Sequence, residues 1–339
     1  MLDDLIRLAL ANAALVFGSF ILLWAVSLSV RDSSLVDIWF APCIGAAAVL
    51  GVFVAHGAEP RRVLIAVLAV LWSARLGGYL AWRNWGREDP RYARLRKHVE
   101  DQGGNFAWHS LTRINLYQGA IVFVAIAPFL VAQTAPTPAT LGPLAWLGTA
   151  LVLIGVAFEA TADLQLARFK SAAANAGKVL DTGLWRYSRH PNYFGETCVW
   201  WGFWLVACEH PWGWFTVFSP ALMTWSILGM MGKELVERRM LKKRPGYEDY
   251  VRRTSGFFPW PPRRCTTGCR APPRICTSRA STAAPQLPQT TLTRRRRPQG
   301  RCRSSNPRPC GEGSQWVPQS CIAMVNCSRS QPLSVRWYS

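Results

Sequence analysis

No Gly-x-Gly-x-x-Gly element occurs in this chain, which excludes the nucleotide site of a soluble doubly wound fold as far as sequence can exclude it. Paired Cys-x-x-Cys spacing is also missing, and the cysteines beyond residue 264 have no histidine near them. No metal centre is expected from that pattern. Charge is scarce, at 17% of residues against 50% hydrophobic. The scarcity is uneven. Up to about residue 232, most charged residues fall in short gaps between apolar runs of roughly 20 residues, the length a helix needs to cross hydrocarbon. Several runs lack an amphipathic stripe, which argues against the buried helices of a soluble all-α protein.

Seven runs read as spans, at about 5–29, 35–55, 63–82, 116–133, 141–162, 193–208 and 212–232. The first follows Asp3 and Asp4, is long and precedes further spans, so it is not read as a cleaved signal peptide. Lysine and arginine set the orientation. They crowd 83–113, 168–189 and the stretch after Gly232, and are absent from 135–140 and 209–211. Seven spans then put the basic segments in the cytoplasm and the N-terminus outside. Arg61 and Arg62 are the exception. Trp200, Trp201, Trp204, Trp212 and Trp214 fit an interfacial belt. The expectation is an all-α integral membrane protein of about seven helices. It would be multi-pass, in a bacterial inner membrane or the endoplasmic reticulum, and its oligomeric state is open.

A different composition begins near residue 265. The tail 265–339 is rich in Arg, Pro, Ser, Thr and Cys and has no Lys. It cannot bury enough apolar surface to offset its ordering entropy, so disorder is expected after a membrane domain of 1–264. Arginine without lysine reads as codon bias, as from a shifted reading frame. A basic arm for anionic lipid or nucleic acid, or a zinc site begun by Cys265 and Cys269, are the alternatives. No specific nucleic-acid partner is expected.

Polar residues at the edge of a membrane are costly unless they bind something. The densest group is GLWRYSRHPNYFGE, from Gly183. Arg186, Arg189 and His190 can hold phosphate oxygens. Asn192 can cap the next helix, whose free N–H groups favour an anion. The arginines are also what a cytoplasmic loop carries for topology alone. Upstream, Glu159 and Asp163 are spaced i, i+4 on one helix face, and Lys170 follows where that helix leaves the membrane. Glu234 and Glu237 suit ribose hydroxyls or a cationic cofactor group, or pair with Arg238 and Arg239. The stretch RNWGREDPRY, from Arg83, is a charged knot or a basic loop with internal ion pairs. Asp37, in LVDIWF, is an acid in an apolar segment: a site residue that could donate a proton, or a boundary position.

Those stretches, with FEATADLQLARFK at Phe158 and RPGYEDYVRRTSGFFPW at Arg244, resemble one integral-membrane family. It joins the steroid 5-alpha reductases (3-oxo-5-alpha-steroid 4-dehydrogenases) to a large bacterial branch, DUF1295-like. The resemblance covers about 35–262. It implies a seven-helix fold with NADPH held on the cytoplasmic side. By it, Asp163, Lys170, Arg186, Tyr187, Arg189, His190, Asn192, Tyr193 and Glu196 line the nucleotide site, with Glu234 and Glu237 nearby. Asn192 and Glu196 match the family's N-x-x-G-E. The steroid reductases set a Glu and a Tyr over the substrate carbonyl. Here Asp37 is the nearest acid and Tyr79 the candidate tyrosine, and Glu196 is grouped with them as catalytic. The implied chemistry is hydride transfer to the β-carbon of an enone lipid, with a proton reaching the α-carbon. The substrate would be lipid-soluble and enter from the membrane. More distantly, RHPxY and a following carboxylate pair are shared with the isoprenylcysteine carboxyl methyltransferases. That likeness implies S-adenosylmethionine, with Glu234 and Glu237 on its amino and ribose groups and His190 on its carboxylate. A non-enzymatic membrane module is the third reading.

Overall fold

The computed structural model describes residues 1–263 except 85, 87, 231 and 232, and not the side chains of 230 and 233–235. The tail 265–339 and the Glu234 side chain therefore lie outside the described residues. Every named element among those described is helical. In chain order they are α1 (Leu2–Val30), α2 (Leu35–Val54), α3 (Glu59–Asn84), α4 (Pro90–Asp101), α5 (Phe106–Ser110), α6 (Leu116–Ala125), α7 (Ala127–Thr134), α8 (Pro143–Ser171), α9 (Pro191–Ala207), α10 (Phe218–Trp225), α11 (Lys233–Lys243) and α12 (Tyr247–Arg253).

Four of these, α1, α2, α3 and α8, are long and apolar enough to cross a membrane. A fifth candidate is the pair Phe106–Ala125 and Ala127–Thr134, bent by 40°. These match the first, second, third, fifth and fourth expected spans. In place of the last two stand α9, of 17 residues, and α10, which continues through a π turn over Ser226–Met230. Apolar side chains on the candidate spans, such as Leu10 and Leu22 on α1 and Phe53 on α2, point outward, as contact with membrane lipid requires.

Three expectations change for local reasons. The basic stretch 83–113 is largely helical: Asp89 caps α4 by accepting the Arg91 N–H at 2.9 Å, and Pro90 opens it. Arg61 is not a topology signal. Buried, it donates to the carbonyls of Ala132 at 3.0 Å, Thr137 and Pro138 at 3.2 Å each, and Ala135. It thereby satisfies the open C-terminal end of α7. Trp200 and Trp204 leave the belt for the interior, Trp200 lying edge-on to Trp72 at 5.4 Å, whereas Trp212 and Trp214 are exposed.

The most extensive contact is the antiparallel pair α8–α9. Glycines make it close. A Cβ on Gly155 would lie 2.5 Å from the Gly195 carbonyl oxygen, and one on Gly148 would lie 2.6 Å from that of Gly202. In each helix the two glycines are seven residues apart, so both fall on one face. Small residues at such a face let helix backbones touch, the main source of association between helices in lipid.

Candidate functional site

The glycine register runs on into a polar one. Glu159 and Asp163 continue the face of Gly148 and Gly155 on α8. On α9, Glu196 adjoins Gly195 and Asn192 precedes it. A Cβ on Gly195 would lie 2.9 Å from the Glu159 nitrogen, so this contact presses the acids of the two helices together.

The third wall is α3. Arg75 donates Nη1 to Glu159 Oε2 at 2.6 Å and Nη2 to Asp163. Trp72, one turn earlier, donates Nε1 to Glu159 Oε1 at 3.3 Å. Asn192 donates Nδ2 to Asp163 Oδ1 at 3.4 Å. Asn192 does not cap α9: Pro191 opens the helix, His190 takes the cap position, and the Asn192 side chain crosses to α8 instead. Glu196 is 1% exposed, and among the described residues neither of its oxygens has a well-formed hydrogen bond. The Trp200 indole N–H faces it outside hydrogen-bond geometry. A cavity of about 10 Å³, the size of one water, is lined by Arg75, Tyr79, Glu159, Asp163 and Asn192 with two leucines. The Arg75 and Arg83 guanidiniums stand 5.8 and 5.7 Å from the Tyr79 ring centre.

Tyr79, Asp163 and Asn192 thus line one cavity, and Glu196 adjoins it next to Glu159. Asp37 is not among them. It is buried in a separate knot, accepting from Tyr92 Oη at 2.8 Å, Arg91 Nη2 at 3.2 Å and Gln118 Nε2 at 3.4 Å. Both oxygens are engaged, and the knot ties α2 to α4 and α6. This corrects the reading of Asp37 as a free acid over a substrate carbonyl.

Arg189 and His190 also turn inward. Arg189 donates to Glu237 at 2.9 and 3.2 Å and to the carbonyls of Val251 at 3.0 Å and Thr254 at 2.7 Å. His190 Nε2 lies 3.1 Å from Glu237 and its ring stacks on Tyr193, centroids 5.1 Å apart. Ser188 bridges to Ser255, and Tyr250 Oη donates to the Trp185 carbonyl at 2.5 Å. These bonds clamp the start of α9 to α11, α12 and the chain after it. Glu237 is therefore a clamp residue. Arg186, Tyr187 and Lys170 stay at the surface.

Burial pushes the Glu237 carboxyl up, and the His190 and Arg189 hydrogen bonds reverse this and hold it at about 2. The sign follows: a depressed acid stabilises fully above its ordinary value of 4.5, and the contribution fades as pH falls from there through about 2. Amide exchange at Tyr250 and Thr254, corrected for intrinsic rate, is expected to accelerate across that window. Glu237→Gln should give the fast exchange at neutral pH. Equal protection in wild type and variant at neutral pH would remove the clamp.

On the same side Arg239 of α11 is partly buried against Arg94 and Arg91. Burial and those two guanidiniums push it below its usual range, and the acid that faces it, Asp89, is already held by Arg91.

The family model described as "Protein of unknown function (DUF1295)" matches residues 23–254. The chain belongs to this family. The match takes in the cluster, the Asp37 knot and the clamp as far as Thr254. The uncharacterized protein C594.04c of Schizosaccharomyces pombe is 29% identical over 283 residues, covering 71% of this chain and 77% of the relative. No solved structure matches the chain.

Three residues of this DUF1295 site had a weaker signal in the sequence. Arg75 is the lone charge within the run 63–82, which is itself the mark of a site residue. Glu159 was visible only as a helix neighbour of Asp163. Arg239 was indistinguishable from the other cations of a basic helix.

Proposed function

We propose that the chain is a membrane-embedded, NADPH-dependent reductase of the C=C bond of an enone lipid. One observation carries this: Asn192 of the N-x-x-G-E match lines a buried cavity with Tyr79, and Glu196, one turn on, is buried with neither oxygen in a well-formed hydrogen bond among the described residues. A buried carboxylate whose nearest donor, the Trp200 N–H, is misaligned is a costly arrangement unless a ligand supplies a better one. The donor set suits the cofactor, and the one-water cavity would have to open between α3, α8 and α9 to admit it. Glu196 and Asn192 accept and donate what a carboxamide needs, and Arg239 with Arg94, Arg186 and Lys170 offers cations for phosphates. The nicotinamide supplies the hydride when bound. Tyr79 polarises the substrate carbonyl, and Leu76 and Leu80 keep that end of the cavity apolar. Arg189, His190 and Glu237 act on the site by holding α9 in place.

In this reading α9 and α10 with its π turn are the sixth and seventh spans, short ones that a locally thin bilayer accommodates. The N-terminus lies outside, the clamp faces the cytoplasm, and the lipid-soluble substrate enters from the membrane. A second reading is methyl transfer from S-adenosylmethionine. It draws on the excess of buried carboxylates, which suits a cationic cofactor. Against it, Glu237 is already bound by Arg189 and His190.

Nucleotide binding by detergent-purified protein decides between them. NADPH is expected to bind, and Asn192→Ala to weaken it at least about tenfold through loss of a buried hydrogen bond to the cofactor. Binding of S-adenosylmethionine instead moves the assignment to methyl transfer. Folded protein that binds neither sinks both.

A further inference from the structure

The polar cluster holds more negative charge than its cations balance. Glu159 and Asp163 on α8 and Glu196 on α9 face Arg75 on α3. Arg83, beside the Tyr79 ring, is the second cation of the group. Tyr193 and Cys198 on α9 are the remaining ionisable side chains against it. Three carboxylates therefore meet two guanidiniums, and only Glu159 and Asp163 are bonded to one. Among the described residues Glu196 has no well-formed hydrogen bond although it is buried, and the Trp200 N–H is the donor that faces it. Carboxylates that share a site out of water do not all ionise. The adjoining cavity has room for one water and no more, and Tyr79 lines it together with Glu159 and Asp163.

We infer that Glu159 and Glu196 hold one proton between them, and that this store resupplies Tyr79 through a water in the cavity. The role of Tyr79 rests on the reductase reading; the stored proton does not. Bound NADPH would supply a hydride to the β-carbon and be left as NADP⁺. The Tyr79 O–H bond breaks as a C–H bond forms at the α-carbon. The phenolate then takes a proton from the store by way of the water, and the store refills from the cytoplasm. One hydride and one proton enter the product.

Infrared spectroscopy of the full chain in lipid nanodiscs tests the store directly. At about pH 7 wild type should show the C=O stretch of a protonated carboxyl, shifted in D₂O. Glu196→Gln should lose it. Should that variant fail to fold, Glu159→Gln is the second probe, and there the band should move or vanish. Folded wild type without such a band overturns the proposal. So does a band unchanged in every folded variant. NADPH binding measured on the same samples separates the failures: a band without nucleotide binding sinks the reductase alone, and nucleotide binding without a band sinks the store alone. Where turnover is observed, Glu196→Gln should lower kcat about tenfold or more with the KM for the lipid substrate little changed, as loss of a proton-transfer group does. An unchanged kcat across the pH range overturns the link to Tyr79.

Discussion

Arg75→Met should leave little folded protein. The guanidinium side chain is 15% exposed and bridges two acids on another helix, with exposures of 2% and 9%. Methionine keeps the length and the apolar stem but removes every donor. Glu159 and Asp163 would then be two neighbouring carboxylates with no guanidinium bridging them and only Arg83 nearby. Removing one partner of a buried ion pair costs about 3–5 kcal/mol, because the other charge stays buried. That is a large share of the 5–15 kcal/mol by which a domain is stable. Arg75→Lys should recover only part of it, since a single ammonium cannot serve two acids with the planar fork of arginine. Adding Glu159→Gln and Asp163→Asn to Arg75→Met should recover more, because no charge is then left unbalanced. Reversible unfolding in mixed detergent would measure all four proteins. Arg75→Met as stable as wild type would show that these ion pairs do not hold the helices.

Gly155→Leu should be comparably damaging for a steric reason. The Cβ alone would meet the Gly195 carbonyl oxygen at 2.5 Å and the Val199 Cγ2 at 2.8 Å. Neither the backbone oxygen nor a methyl on a buried turn can move aside without moving α9. Overpacking typically costs about 1–3 kcal/mol. Here a whole helix must shift, so the loss is expected at the top of that range or beyond. The site should fail with the fold, because the same contact sets the approach of Glu159 to Glu196. Gly78→Ala is the control. Nothing lies within 4 Å of its Cβ, and alanine is better than glycine in a helix by about 1 kcal/mol. The two substitutions should therefore move the unfolding midpoint in opposite directions. A Gly155→Leu protein that keeps its midpoint and its nucleotide binding would mean that α8 and α9 do not pack as described.

The sequence alone determined whatever depends on a single helix. Run length located four spans and the bent pair. The i, i+4 spacing put Glu159 and Asp163 on one face, and the N-x-x-G-E match singled out Asn192 and Glu196. The glycines at 148, 155, 195 and 202 were not singled out in the sequence, and only the paired structure gives their spacing of seven a meaning. What the tertiary structure decided is which face meets which. Asp37 and Asp163 look alike in sequence, each an acid in an apolar run. One is tied to Arg91 and Tyr92, the other lies beside Tyr79 and Asn192. Arg189 reads as a phosphate ligand until Glu237 and two carbonyls of the C-terminal segment are seen to use its donors. Periodicity along a chain fixes the direction of a side chain relative to its own helix axis. Its partner is fixed by the rotation and depth at which another helix packs, and here those follow from glycine contacts between α8 and α9 and from one arginine that reaches across from α3.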